Sequence, residues 1–221
     1  MSNYLVNQNF LMKIHLTILL SLLSIAFFAS AQNKDWIKTT SKDGKVKVDY
    51  AVYYINDDDD DKKQQILEYE AEINANATLS QCVNILRNVD LHTQFLTDAK
   101  QSKLIEQISE NEWTVYYYFN AIWPLSDYDS ATKVVQENIS ENEVKITSTA
   151  AVNACEDKGV GRLQINNSVY TFTKVDDATT NIKLWVKVAP TIQAPKWLIK
   201  TQFPKLPAGI MLKMADLAGR M

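Results

Sequence analysis

The sequence predicts an α+β domain in which a curved antiparallel sheet wraps around a long carboxy-terminal helix. Three observations carry that prediction. From residue 45 to residue 188 the chain is a succession of runs in which apolar and polar residues alternate, the period-two pattern of strands with one buried face. The connections between runs hold turn-forming residues such as Ser-Glu-Asn, Asn166-Asn167 and Asp176-Asp177-Ala178. Beyond Pro190 the period becomes helical, and Ile210, Met211, Met214, Leu217 and Ala218 mark an amphipathic stripe. A curved antiparallel sheet must bury its concave face, and the terminal helix is the element available to cover it.

At the amino terminus, Lys13 precedes an apolar run over residues 16–28 and then Ala29-Ser30-Ala31. These are the basic region, apolar region and small-x-small cleavage site of a signal peptide. The run is roughly 13 residues long, short of the roughly 20 that a transmembrane helix needs. Residues 1–31 are therefore expected to be removed as a cleaved signal peptide, leaving residues 32–221 as a single exported domain, periplasmic or secreted. No Cys follows the apolar run, so a lipid anchor is not expected.

After the turn Lys42-Asp43-Gly44, alternation over 45–55 predicts the first long strand and 64–75 the second. The acid run between them reads as a solvated hairpin tip, because it lacks the Gly and terminal Glu of a helix-loop-helix calcium site. Glu68, Glu70 and Glu72 alternate with Leu67, Tyr69 and Ala71 and are assigned to the solvent face. An N-cap at 76–78 opens a helix over 79–88, with Leu79, Val83, Leu86 and Val89 on one face. Further strands are predicted at 102–108, 113–120, 131–136, 144–150, 162–165, 168–175 and 181–188, arranged as a long meander. Pro195 lies near the first turn of a helix, and after breaks at Pro204 and Pro207 the terminal helix is expected over 209–221.

Composition narrows the function. A chain of 221 residues with 46 % hydrophobic residues, five Gly and five Pro is globular. A net charge of -3 with no Lys/Arg cluster leaves no electrostatic footprint for nucleic acid. Cys82 and Cys155 could form a disulfide in an exported protein, or could be a small buried residue and a free loop thiol. His15 falls in the expected signal peptide, so His92 is the histidine left to the domain, and no nucleophile motif adjoins it. It reads as a helix-end or surface residue. One His and two separated Cys cannot build a tetrahedral centre, so no metal or cofactor is expected. Gly159-Val160-Gly161 precedes a strand and does not cradle phosphate. No catalytic residue is assigned.

What the chain has in quantity is apolar and amphipathic surface. Trp113, Tyr116, Tyr117, Tyr118 and Phe119 crowd one strand with bulk on both faces. A sheet gripping a helix can enclose a ligand cavity, and a fully packed core fits the same pattern. Alternation points Ile182, Leu184, Val186 and Val188 inward and Trp185 outward, and sets Val144, Ile146 and Ser148 on the interior face. Met211 and Met214 are candidate lining residues, since thioethers adapt to varied partners.

Four features taken together resemble the StAR-related lipid-transfer (START) domain family. The corner WPLSDYD, residues 123–129, is similar to that family's Pro-Trp-Pro-Leu-Ser-Asp-Arg-Asp. Trp36 with the run 42–48 resembles its opening strand, Lys158-Gly159-Val160-Gly161-Arg162 its Gly-x-Val-Arg element, and Ala194-Pro195-Lys196-Trp197-Leu198-Ile199 its entry to the last helix. The resemblance implies a helix-grip fold and non-covalent carriage of a lipid, sterol or other hydrophobic molecule in an internal cavity, by a monomer that makes transient membrane contact. Arg162, Tyr118, Ile146, Leu184, Val186, Trp197, Met211 and Met214 are the ligand-binding residues expected on this basis and from alternation. An inward Arg162 would need a carboxylate or a ligand acceptor. The chain departs from the family pattern at Tyr128, where an Arg is usual, at Ala121-Ile122, at Gly161, which is inserted, and at Ala189-Pro190-Thr191. Trp123 and Leu125, which a turn does not require, read as scaffold anchors of the corner. An enzyme on the same fold, cyclase-like or hydrolase-like, and a packed protein-interaction module are the alternative readings.

Overall fold

A computed structural model describes residues 34–57, 60–121 and 123–221. The expected signal peptide and the acid-run tip at Asp58 and Asp59 lie outside the described residues. The strands are β1 (Ile37–Thr40), β2 (Lys47–Asp57), β3 (Asp60–Ala75), β4 (Ala99–Ser109), β5 (Glu112–Phe119), β6 (Tyr128–Ser140), β7 (Glu143–Ala150), β8 (Gly161–Arg162), β9 (Asn166–Lys174) and β10 (Thr180–Val188). The helices are α1 (Leu79–Arg87), α2 (His92–Phe95), α3 (Lys196–Gln202) and α4 (Lys205–Gly219).

The strands form one sheet in the order β1-β2-β3-β10-β9-β7-β6-β5-β4, with β8 beside β6. Apart from the parallel β6–β8 pair, neighbours are antiparallel. This corrects the simple meander. The chain leaving β3 passes through α1 and α2 before it re-enters the sheet at the far edge as β4. The first hairpin is thereby left to pair with the last strand, Ile73 facing Ile182. Edge strand β4 carries Lys100, Lys103 and Glu106 and three breaks in register, features that blunt an open edge.

Local chemistry explains the helices. Thr78 and Gln81 form a reciprocal capping box at the start of α1: Thr78 Oγ1 accepts from the Gln81 amide at 3.3 Å, and Gln81 Oε1 from the Thr78 amide at 2.8 Å. Helix α4 begins four residues earlier than its sequence pattern suggested, at Lys205 rather than 209. Pro207 sits in its first turn, where no amide hydrogen is needed inside the helix, so it does not break the helix. Ile210, Met211, Met214 and Ala218 form the buried face of α4, which packs on β3, α1 and α2.

Two further expectations change. The strand predicted at 162–165 shrinks to Gly161–Arg162, parallel to Tyr128 and Asp129 of β6. The inserted Gly161 has a steric reason, since a Cβ there would lie 2.9 Å from Thr191 Cγ2. Glu68 lies on the outer face with Glu70 and Glu72 but is buried there and not solvent-exposed, because rings from both neighbouring strands close over it. Trp185 Nε1 donates to its Oε1 at 3.0 Å and the Tyr53 hydroxyl to its Oε2 at 2.6 Å. Glu70 is exposed and Glu72 half-buried, as a solvent face requires. Cys82 is buried, Cys155 half-buried, and both are free thiols.

Candidate functional site

The site is a cavity between the concave wall of the sheet and the helices that cross it. Strand register sets the wall. Tyr69, Val186, Ser168, Ser148 and Val134 stand side by side across β3, β10, β9, β7 and β6. Leu198 and Ile199 of α3, Phe203, and Leu206 and Ile210 of α4 face this wall from the other side. A volume of about 280 Å³ remains between them, close to the low end of the roughly 300–1,000 Å³ of small-molecule pockets. Its lining is mostly aliphatic and aromatic, and among the described residues no Lys or Arg lines it.

Polar side chains also stand on the lining, among them His92, Asp98, Tyr117, Tyr128 and Thr132. His92, at the start of α2, is 2 % exposed. Its Nε2 lies 2.9 Å from the Leu86 carbonyl, which can only accept, so Nε2 carries the proton of the neutral ring. Nδ1 then accepts from the Tyr117 hydroxyl at 2.8 Å. Burial lowers the His92 pKa to about 4 against the pull of backbone hydrogen bonds, so the ring stays neutral near pH 7. Tyr128 lines the cavity where an Arg was the usual residue of the corner. It stacks on Phe119 at 4.9 Å between ring centroids, and burial, with the nearby Asp98, pushes its phenol up to about 12. Asp98 also lines the cavity, with its pKa raised by burial. Thr132 is 3 % exposed and its Oγ1 has no hydrogen-bond partner.

Of the residues expected to bind ligand, Ile146 and Val186 line the cavity. The other six do not, for separate reasons. Arg162 forms a two-pronged ion pair with Asp129, Nε to Oδ1 at 2.8 Å and Nη2 to Oδ2 at 2.7 Å. Its remaining donors reach the carbonyls of Val152, Cys155 and Glu156 at 3.0, 2.8 and 2.8 Å. The Arg162 side chain is 13 % exposed and that of Asp129 0 %. Because Tyr128 faces the cavity, its neighbour Asp129 faces away, and Arg162, opposite Asp129 in the ladder, faces away with it. Tyr118 lies on the outer face of β5 and donates to Asp127 Oδ2 at 3.0 Å. Trp197 is 53 % exposed, and Leu184, Met211 and Met214 are buried in the core beside the cavity.

The corner is also corrected. Trp123 is 80 % exposed and anchors nothing, while Leu125 lines the cavity. His92 and Tyr117 were missed as site residues. Parity could have found Tyr117, which shares the inner face of β5 with Trp113 and Val115. Nothing local marks His92, whose burial depends on where α2 docks. Among the described residues, no group of three or more His, Cys, Asp and Glu could hold a metal ion, and no helix is long and apolar enough to cross a membrane.

Two tests follow from this geometry. Asp129→Ala leaves the Arg162 charge without its partner and is expected to cost about 3–5 kcal/mol in urea unfolding; a loss under about 1 kcal/mol would show that the pair does not hold the corner. The His92 pKa lies below its ordinary 6.5 in the folded state, so the unfolded chain takes up the proton first as pH falls. Stability from this residue is thus complete above about pH 6.5 and is lost on going down to about pH 4. The difference in melting temperature between wild type and His92→Asn should narrow over that window, and a constant difference would contradict the buried neutral ring.

No protein-family model and no curated protein matches the sequence. Solved structures do match. A StAR-related lipid transfer protein from Xanthomonas axonopodis (fragment 25–204) is 19 % identical with a TM-score of 0.68, over 84 % of this chain and 99 % of that one. The lipid transfer and protein localization domain of human StarD13 is 14 % identical with a TM-score of 0.66, over 90 % of this chain and 97 % of that one. The Zhui aromatase/cyclase from Streptomyces sp. R1128 is 8 % identical with a TM-score of 0.51, over 70 % and 94 %. The curved antiparallel sheet gripping a carboxy-terminal helix is therefore the START-like helix-grip fold.

Proposed function

We propose that this protein binds a hydrophobic small molecule, of the lipid or sterol class, in the cavity beneath α3 and α4 and carries it without chemical change. The observation that supports this reading most is the lining itself: a mostly aliphatic and aromatic enclosure of about 280 Å³ with, among the described residues, no Lys or Arg. Removing apolar ligand surface from water there supplies roughly 25 cal/mol per Å². The likeness to lipid-transfer proteins points the same way. A packed interaction module fits less well, because the concave wall is not filled. A cyclase-like activity is the second reading, favoured by the likeness to the aromatase/cyclase. His92 is not free to serve it as a base, since both ring nitrogens are engaged, which leaves the Asp98 carboxyl as the acid–base group on the lining.

The reading extends to a lipid surface. Trp123 stands between the lining residues Ala121 and Leu125, and Trp197 directly precedes the lining residue Leu198. Exposed indoles beside a cavity suit the water–lipid boundary, and the exposed Lys196 and Lys200 suit an anionic one. The leader-like residues 1–31 support export, so the surface served would be periplasmic or outside the cell.

Native mass spectrometry of protein purified without detergent from its secreting cell tests the first proposal. A chain beginning at Gln32 with an apolar molecule bound is expected, and Ile146→Phe or Val186→Phe should lose that molecule while keeping the wild-type circular dichroism. A folded protein that takes up no apolar molecule would sink the reading, and chemical turnover of the bound molecule would move it to the second. Co-sedimentation with vesicles containing anionic lipid tests the surface: Trp123→Ser with Trp197→Ser should weaken binding by about ten-fold, or 1.4 kcal/mol. Undiminished binding would place the contact elsewhere.

A further inference from the structure

A carrier of purely apolar molecules needs no polar wall, yet one side of this cavity is polar and carries no charge. Register brings its members together. Ser148 of β7 faces Ser168 of β9, and Val134 next to them on β6 leads by alternation to Thr132 and Ser130 on the same face. Asn166 Nδ2 donates to Ser130 Oγ at 2.9 Å, joining β9 to β6 across β7. Tyr117 of β5 faces Ser130 directly.

Three features of this patch indicate what it would accept. Thr132 is the cavity-lining residue whose buried hydroxyl has no partner, and Ala150, opposite it on β7, offers none. Leaving such a group unpaired costs roughly 1–3 kcal/mol. Rotation about χ1 exchanges its hydroxyl with its methyl, so the group can turn to serve a molecule in the cavity. The Tyr117 hydroxyl gives its proton to His92, which leaves its oxygen as an acceptor toward the cavity. Finally, among the described residues the lining holds Asp98 but no Lys or Arg, so an anion in this cavity would share its wall with an acid and meet no cationic side chain there. A group that both donates and accepts, without charge, matches all three.

Resting on the ligand-carrying reading above, we infer that the bound molecule has one uncharged, hydroxyl-bearing end, which seats against Thr132, Ser148 and Ser168, and an apolar body that lies under α3 and α4. The two claims separate experimentally. Displacement of the neutral fluorophore N-phenyl-1-naphthylamine by 1-tetradecanol, tetradecane and tetradecanoate compares one chain length with three end groups. In the wild type the alcohol should displace at a concentration at least ten-fold lower than either of the others. In Thr132→Val with Ser148→Ala the ratio of alcohol to alkane should fall to about one. Equal displacement by alcohol and alkane, carboxylate as potent as alcohol, or an alcohol preference that survives in the double variant would each overturn the polar-end assignment and leave the carrier reading standing. Failure of the fluorophore and all three chains to bind would remove the carrier reading, and this inference with it.

Discussion

A mismatch of size makes the cavity. Between β3 and β6 the wall spans five strands, roughly 19 Å at about 4.8 Å per strand, whereas a helix with its side chains is about 10 Å across. Helix α4 covers the part over β3 with Ile210, Met211 and Met214, and it cannot also cover β9, β7 and β6. Short elements close the rest: α2 with His92 and Phe95, and α3 with Leu198 and Ile199. Their side chains meet the wall at its margins, and the middle stays open. The aromatic residues around that opening, Tyr69, Tyr117, Phe119, Tyr128 and Tyr170, are too bulky and too fixed on the sheet to collapse into it.

The corner around residues 123–129 depends on charge, and the charge sits outside the cavity. Asp129 and Arg162 pair on the outer side of β6, and Arg162 gathers three loop carbonyls from residues 152–156. A stretch without regular structure is thereby tied to the sheet by a guanidinium whose planar fork suits this arrangement. With the ion pair turned outward, the inner surface of the same two strands is free to be neutral. Tyr128, one residue before Asp129, supplies a ring there in place of a charge.

Much of the frame was legible from alternation and breakers. Most strand positions, the outward Trp185 and the inward Ile146, Ser148 and Val186 followed from period-two patterns, and the Thr78 cap from its residue type, because these are local consequences of backbone geometry. Strand order was not legible: nothing within residues 60–109 states that the chain will cross the concave side before rejoining the sheet. The same limit hid Glu68, one of whose covering rings, Trp185, comes from a strand distant in sequence, and His92, whose environment is assembled by α1 and β5. The START resemblance pointed to the fold, and the structural likeness agrees. Its transfer of individual residues was weaker, because Arg162, Tyr118 and Trp197 take their roles from contacts that the motifs do not encode.

Along β6, β7, β9 and β10 the residues that hold the frame and those that face the cavity alternate. Lys133 pairs with Glu112 on the outside while Thr132 and Val134 look in, and Lys145 pairs with Glu137 while Ile146 looks in. Neighbours in sequence thus sit in different surroundings. Substitutions at every second position reshape the cavity without disturbing the ladders or the outer ion pairs. Such a layout lets the cavity wall vary independently of the architecture that surrounds it.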